Sequence, residues 1–275
     1  MVKFPPVSAS AESTFAWEPL TPRGVAAFAR ATPSRLFLVQ FIIALLAAAS
    51  VVWFLYDGCF PTVFTAIQNL PAAGEIRSAR LDWHGNSPQL LAEGRSIAFD
   101  VDLNHSGQIH PLADVQIEFG GETVRIFSLL GYTEWNYPRG QVIPFNHTDL
   151  EPQWGAWAME LLFMAGIVLA AGFMLGWWLL ATIYFIPVWV LGLFMNRDLT
   201  FRQSWRLAGA ALMPGALLMA AAVLLYNSGF LNFVSLGFTF AAHLVLGWIY
   251  LFLSLLFLPR SPSALSKGNP FTPSQ

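Results

Sequence analysis

The sequence predicts an α-helical integral membrane protein of about four transmembrane helices, with a small β-rich extracytoplasmic domain inserted between helices 1 and 2. Three observations carry this reading. Of 275 residues, 56% are apolar and only 11% charged, where a soluble domain carries about 25% charged residues. The apolar residues gather into runs long enough to cross a bilayer. Between the first and second runs, residues 75 to 150 alternate apolar and polar side chains, the pattern of a half-buried strand.

The chain opens on a polar, Pro-containing leader, residues 1–33, read as cytoplasmic and partly disordered over about its first 15 positions. Trp17, Leu20, Val25 and Phe28 are its candidate membrane-surface contacts. A cleaved signal peptide is not expected, because the basic region is long and the run after it is long enough to span. Residues 36–56 form transmembrane helix 1, with Gln40 and Ser50 as its polar members. Residues 57–153 form the extracytoplasmic domain. Phe60, Val63, Phe64, Ile67 and Leu70 recur at helical spacing and predict an amphipathic helix over 60–70 lying along the outer surface, ended by Pro71 and Gly74.

Four to six strands are expected over 75–150. Arg77, Ala79, Leu81 and Trp83 alternate with polar neighbours, as do Ile97, Phe99, Val101 and Leu103 with Ala98, Asp100 and Asp102. Val115, Ile117 and Phe119 run into Gly120-Gly121, followed by Val124 and Ile126. A Gly-Gly pair between alternating runs signals a hairpin, since the central residues of a tight turn need positive φ.

Residues 157–195 are 39 residues with one charge, Glu160, and would make a helix about 58 Å long. The run is either one long transmembrane helix 2, kinked near Pro187, or two crossings joined by an apolar turn. Residues 196–206 then form a cytoplasmic loop, 207–226 transmembrane helix 3, 233–258 transmembrane helix 4 and 259–275 a cytoplasmic tail. With one crossing, the leader, the 196–206 loop and the tail share one side, holding nine basic and three acidic residues. Residues 57–153 hold five basic and twelve acidic residues. Basic short loops stay inside, so one crossing is favoured, with both termini cytoplasmic and the β-rich segment outside.

Leu70-Pro71 followed by Gly74-Glu75-Ile76 and Leu81, Phe99-Asp100 followed by Gly107, and Arg202-Gln203-Ser204-Trp205-Arg206-Leu207 with Pro214 beyond give the chain a resemblance. It resembles the DUF1189 family of bacterial integral membrane proteins of unknown function, over roughly residues 36–258. The resemblance implies the same plan of one span, an external domain and a hydrophobic C-terminal half. It carries no catalytic residues.

Candidate chemistry is sparse. Glu160 and His243 are the polar intramembrane candidates, since buried charge is costly and marks function by default. The plainer expectation is an interfacial acid and a histidine packed between helices. Asp100, Asp102 and Asn104 are the candidate surface of the external domain. With Ser106 they resemble a calcium-loop spacing. His105, however, stands where that loop needs Gly, and Pro111 where it needs Glu. A strand edge running into a turn explains the pattern better. His84, His105, His110 and His147 lack zinc-type spacing. Cys59 is the one cysteine, so no internal disulfide or thiolate cluster forms. No Ser/His/Asp set is readable, and no basic cluster tracks nucleic acid. Neither a cofactor nor a metal is expected.

The function expected is non-enzymatic: a membrane-anchored binding, accessory or sensor protein using its external β domain. The alternative is a small transporter or transporter accessory subunit, and a membrane enzyme is the third reading. Expected partners are the lipid bilayer and an envelope protein. Self-association is a further possibility, since Gly166, Gly172, Gly176, Gly209 and Gly215 let helices approach closely.

Overall fold

A computed structural model describes residues 17–261. The leader before Trp17 and the tail beyond Ser261, including the expected disorder, lie outside the described residues. Among the described residues, four helices are long and apolar enough to cross a membrane, spanning Pro33–Gln68, His147–Phe194, Phe201–Asn227 and Phe233–Leu256. A β-sheet region stands between the first and second. The described residues form two compact units, one of residues 17–50, 166–226 and 234–261, the other of residues 51–165 and 227–233.

The helical unit begins with α1 (Pro22–Phe28), whose Thr21 hydroxyl caps the helix by accepting from the Gly24 amide at 3.0 Å. Val25 and Phe28, expected at a membrane surface, are fully buried instead. They join a core with Leu36, Trp177, Val188, Leu207, Met213 and Leu255. Trp17 and Leu20 do stay exposed.

Helix α2 (Pro33–Phe54) does not stop at Tyr56. It passes through a π-helical turn, Leu55–Cys59, into α3 (Phe60–Gln68). The stretch expected to cross as residues 157–195 is one uninterrupted helix, α4 (His147–Phe194), of 48 residues and about 72 Å. It has no turn that would make two spans. It also starts ten residues earlier than expected, because the Asn146 side chain accepts from the Asp149 amide at 2.9 Å and caps it. The expected loop over residues 196–206 is largely helix, α5 (Phe201–Ala211). Thr200 and Gln203 close a capping box at its start, in which each side chain satisfies a backbone N–H of the other. Helix α6 (Met213–Asn227) follows across Pro214, and α7 (Phe233–Leu256) completes the set.

Small residues decide two helix contacts in this unit. A Cβ on Gly215 would meet the His243 carbonyl oxygen at 2.7 Å, and one on Gly209 the Gln40 amide nitrogen at 3.1 Å. The Gln40 amide donates to the Gly209 carbonyl at 3.1 Å and is buried. Gly172 and Gly176 face open space.

The other unit carries eight strands in two sheets, more than the four to six expected. β1 (Gly74–Arg77), β2 (Arg80–Trp83) and β8 (Ile143–Pro144) form one sheet in the order β2-β1-β8. The alternating run from Arg77 to Trp83 is not one strand but crosses a hairpin turn at Ser78 and Ala79, both at positive φ. The period-2 pattern hid this turn because Ser-Ala carries none of the Gly, Asn or Asp that a two-residue turn at positive φ favours.

The second sheet has the order β3-β4-β5-β6-β7. Its strands are β3 (Gln89–Glu93), β4 (Ile97–Val101), β5 (Val115–Phe119), β6 (Thr123–Ser128) and β7 (Gly131–Asn136). The hairpin expected at Gly120-Gly121 is present, pairing Phe119 with Val124, but neither glycine has positive φ. Close approach explains Gly120: a Cβ there would sit 2.2 Å from the His105 ring.

β4 and β5 pair in parallel, which demands a long crossover. The chain between Val101 and Val115 supplies it. One face of the sheet presents Phe99, Val101, Phe119 and Val124 to a core with Ala66, Leu70, Ile76, Leu81 and Phe145. Helix α3 belongs to this unit and packs through its small residues Thr62 and Ala66, which are buried, while Phe64 stays exposed.

Candidate functional site

The opposite face of the five-stranded sheet is polar. Side chains alternate across a strand, and register places Asp100 beside Glu118, Glu118 beside Arg125, and Arg125 beside Glu134. The same alternation predicts that Asp100 and Asp102 point to solvent. They do not: Asp100 is 0% and Asp102 2% exposed, so both are corrected from surface to interior. The cause is the crossover, whose residues from Asp102 onward fold back so that His105 reaches Glu118. Asn104 alone of the three stays exposed.

Asp102 is consumed by this loop. Its carboxylate accepts from the Ser106 hydroxyl at 2.7 Å, the Gly107 amide at 3.1 Å and the Asn104 amide at 3.3 Å. Burial works against its charge, but these donors outweigh it and hold the carboxyl below its ordinary value. The spacing that resembled a calcium loop is therefore a turn that ligates its own amides. Among the described residues no group of three or more His, Cys, Asp or Glu side chains is placed to hold a metal ion.

Asp100 is the reverse case. The Gln116 amide donates to one oxygen at 2.8 Å, and the other oxygen has no hydrogen-bond partner among the described residues. Burial pushes its carboxyl up to about 6; the Gln116 bond opposes the shift, and the charges of Glu118 and Asp102 add to it.

Beside it lies a constellation not legible in the sequence. Glu118 meets His105 Nδ1 at 2.5 Å, and His105 Nε2 meets the Thr123 hydroxyl at 3.0 Å. An acid, an imidazole and a hydroxyl in that order are the parts of a nucleophilic triad. The rest of the geometry does not support acyl transfer. Glu134, on the neighbouring strand, is held below its usual range by Thr123 and by the charge of Arg125. The nearby amides of Gly120 and Gly121 donate to the carbonyls of Thr123 and Leu103, so they are not free to form an oxyanion hole. The network ties the crossover to the sheet. The sequence offered one signal for it, Asp100 and Glu118 on alternating strands, but parallel pairing was needed to set them side by side.

The outer end of this sheet differs in character. β7 is exposed at all six positions and, among the described residues, pairs only with β6. Tyr132 and Trp135 are 61% and 64% exposed, and the hairpin tip adds Leu129 and Leu130. A long, exposed edge strand bearing aromatic side chains is a template for another strand.

The membrane candidates stay single. Glu160 is exposed on α4, and His243 Nδ1 bonds the Phe240 carbonyl of its own helix. No family model, curated protein or solved structure matches the chain.

Proposed function

We propose that this chain is a multi-pass membrane protein, both termini cytoplasmic, that binds an extended segment of an envelope protein along β7 of its extracytoplasmic domain. It performs no chemistry itself and needs no cofactor. The observation that carries the reading is β7: six consecutive exposed residues with an unpaired edge, beside an apolar tip. Strand addition takes affinity from main-chain hydrogen bonds and specificity from side chains on alternate positions. Trp135 and Tyr132 supply such positions on opposite faces. The single helix α4 and the excess of arginine in the leader and in the 196–206 segment support the topology. A bacterial origin goes with the DUF1189-like motifs as part of the same reading.

A photocrosslinking residue in place of Trp135 in the full chain, activated in intact cells, is expected to give one discrete adduct. Glu134→Pro, which removes an N–H on the free side of β7, combined with Leu130→Asp should reduce it at least fivefold, because the proline blocks the edge and the acid blocks the apolar tip. A crosslinker in place of Arg80, an exposed residue at the start of β2, should give no adduct. Equal labelling from both positions, or none from Trp135, would refute the binding edge. An adduct of twice the chain's own mass would replace the envelope protein with a second copy.

A further inference from the structure

A groove of about 430 Å³ in the helical unit is lined by Pro33, Phe185, Phe201, Arg202, Trp205 and Arg206. Its walls are apolar rings and its two charges are both positive. Arg206 donates to the Ala31 carbonyl at 2.7 Å, which fixes its guanidinium at the mouth of α2. Arg202 is exposed and makes no hydrogen bond or ion pair to any described residue. Trp205 is held in place by its indole N–H, which donates to the Thr182 hydroxyl at 3.1 Å. The Phe201 ring meets Phe185 edge to face and Trp189 at a tilt.

Position says what the groove meets. Pro33 begins α2 and Phe201 begins α5, so the site lies where apolar helices end, at the depth where aromatic rings collect in a membrane. The surrounding ends carry Arg23, Arg30, Arg35, Arg197 and Arg260 against Glu18 and Asp198. A soluble anion would find no use for the ring-lined wall, and a neutral lipid none for the arginines. Guanidinium groups match phosphate geometry, and basic pockets between spans suit anionic headgroups.

We infer that this groove is a binding site for an anionic phospholipid, its phosphate held by Arg202 and Arg206 and an acyl chain lying over Phe185, Phe201 and Trp205. The site is independent of the binding edge on β7.

The test uses the full chain, delipidated in neutral detergent and titrated with phosphatidylglycerol or phosphatidylcholine while bound lipid is counted by native mass spectrometry. At least tenfold tighter binding of phosphatidylglycerol is expected. Arg202→Gln should lower that preference about fivefold or more, while Arg260→Gln, which removes the same charge outside the groove, should leave it. Equal binding of the two lipids would overturn the proposal. So would equal loss in both variants, which would mean diffuse charge rather than a site. Displacement by equimolar inorganic phosphate would overturn it in favour of a soluble anion. Thr182→Val, which frees Trp205 but keeps both arginines, should weaken both lipids alike.

Discussion

Asp100→Asn stabilises the β domain by about 3 kcal/mol at pH 7.5 and removes most of its pH dependence between pH 4 and 6. The wild-type carboxyl is buried and pushed up to about 6 from an ordinary 3.8. The folded domain therefore favours the neutral acid. Stability from this group is fully present below the unfolded value and is lost as pH rises through about 6. A shift of about two pK units is worth about 3 kcal/mol once both states are ionised. An amide keeps the oxygen that accepts from Gln116 and replaces the unpartnered oxygen with a neutral group that carries no charge to desolvate. Thermal unfolding of the full chain at pH 4.5 and 7.5 measures this. The gain should appear at the higher pH and nearly vanish at the lower one. Asp102 titrates in the opposite sense, its contribution being present above its ordinary value and lost as pH falls. Comparing variant with parent at each pH cancels that background. A destabilised variant at pH 7.5 would mean that Asp100 is charged in the fold and has a cation partner.

Gly215→Leu lowers the stability of the helical unit by about 2–3 kcal/mol, in the range of overpacking a well-filled interior. A Cβ at this position meets a backbone carbonyl, that of His243, at 2.7 Å. No side-chain rotamer can relieve that contact, so α6 and α7 must separate. Gly237→Leu on α7 is the control, since nothing lies within 4 Å of a Cβ there. It should leave the melting temperature unchanged or slightly raised, because leucine is the better helix former. Loss of stability in both variants would trace the effect to glycine removal in general rather than to this contact.

The helical half was legible because hydropathy survives any detail of packing: four apolar runs became four candidate spans. Its boundaries moved where polar caps lay outside the apolar window. Thr200 and Gln203 formed a readable capping box, and Asn146 capped a helix start that the pattern of apolar residues could not show. The β domain was legible at the 115–126 hairpin, where alternation and glycines agree. It misled at Asp100 and Asp102, because alternation assigns polar residues to water only when one face of a sheet is open. Here a crossover without regular structure covers the second face, and crossovers have no periodicity to read. The same cause hid His105, which the crossover brings back onto Glu118 and Thr123 of the β5–β6 hairpin.

The account rests on the β domain and its β7 edge lying outside the cell, opposite the arginine-bearing helix ends. Ser204 is fully buried and cannot report this, whereas Arg202, Ser228 and Arg139 are exposed. Cys59 would be replaced by Ser, single cysteines placed at those three positions, and intact cells treated with an impermeant maleimide. Labelling at 139 and 228 but not at 202 is the predicted result. Labelling at 202 without 139 would place the β domain in the cytoplasm and contradict the proposed binding of an envelope protein.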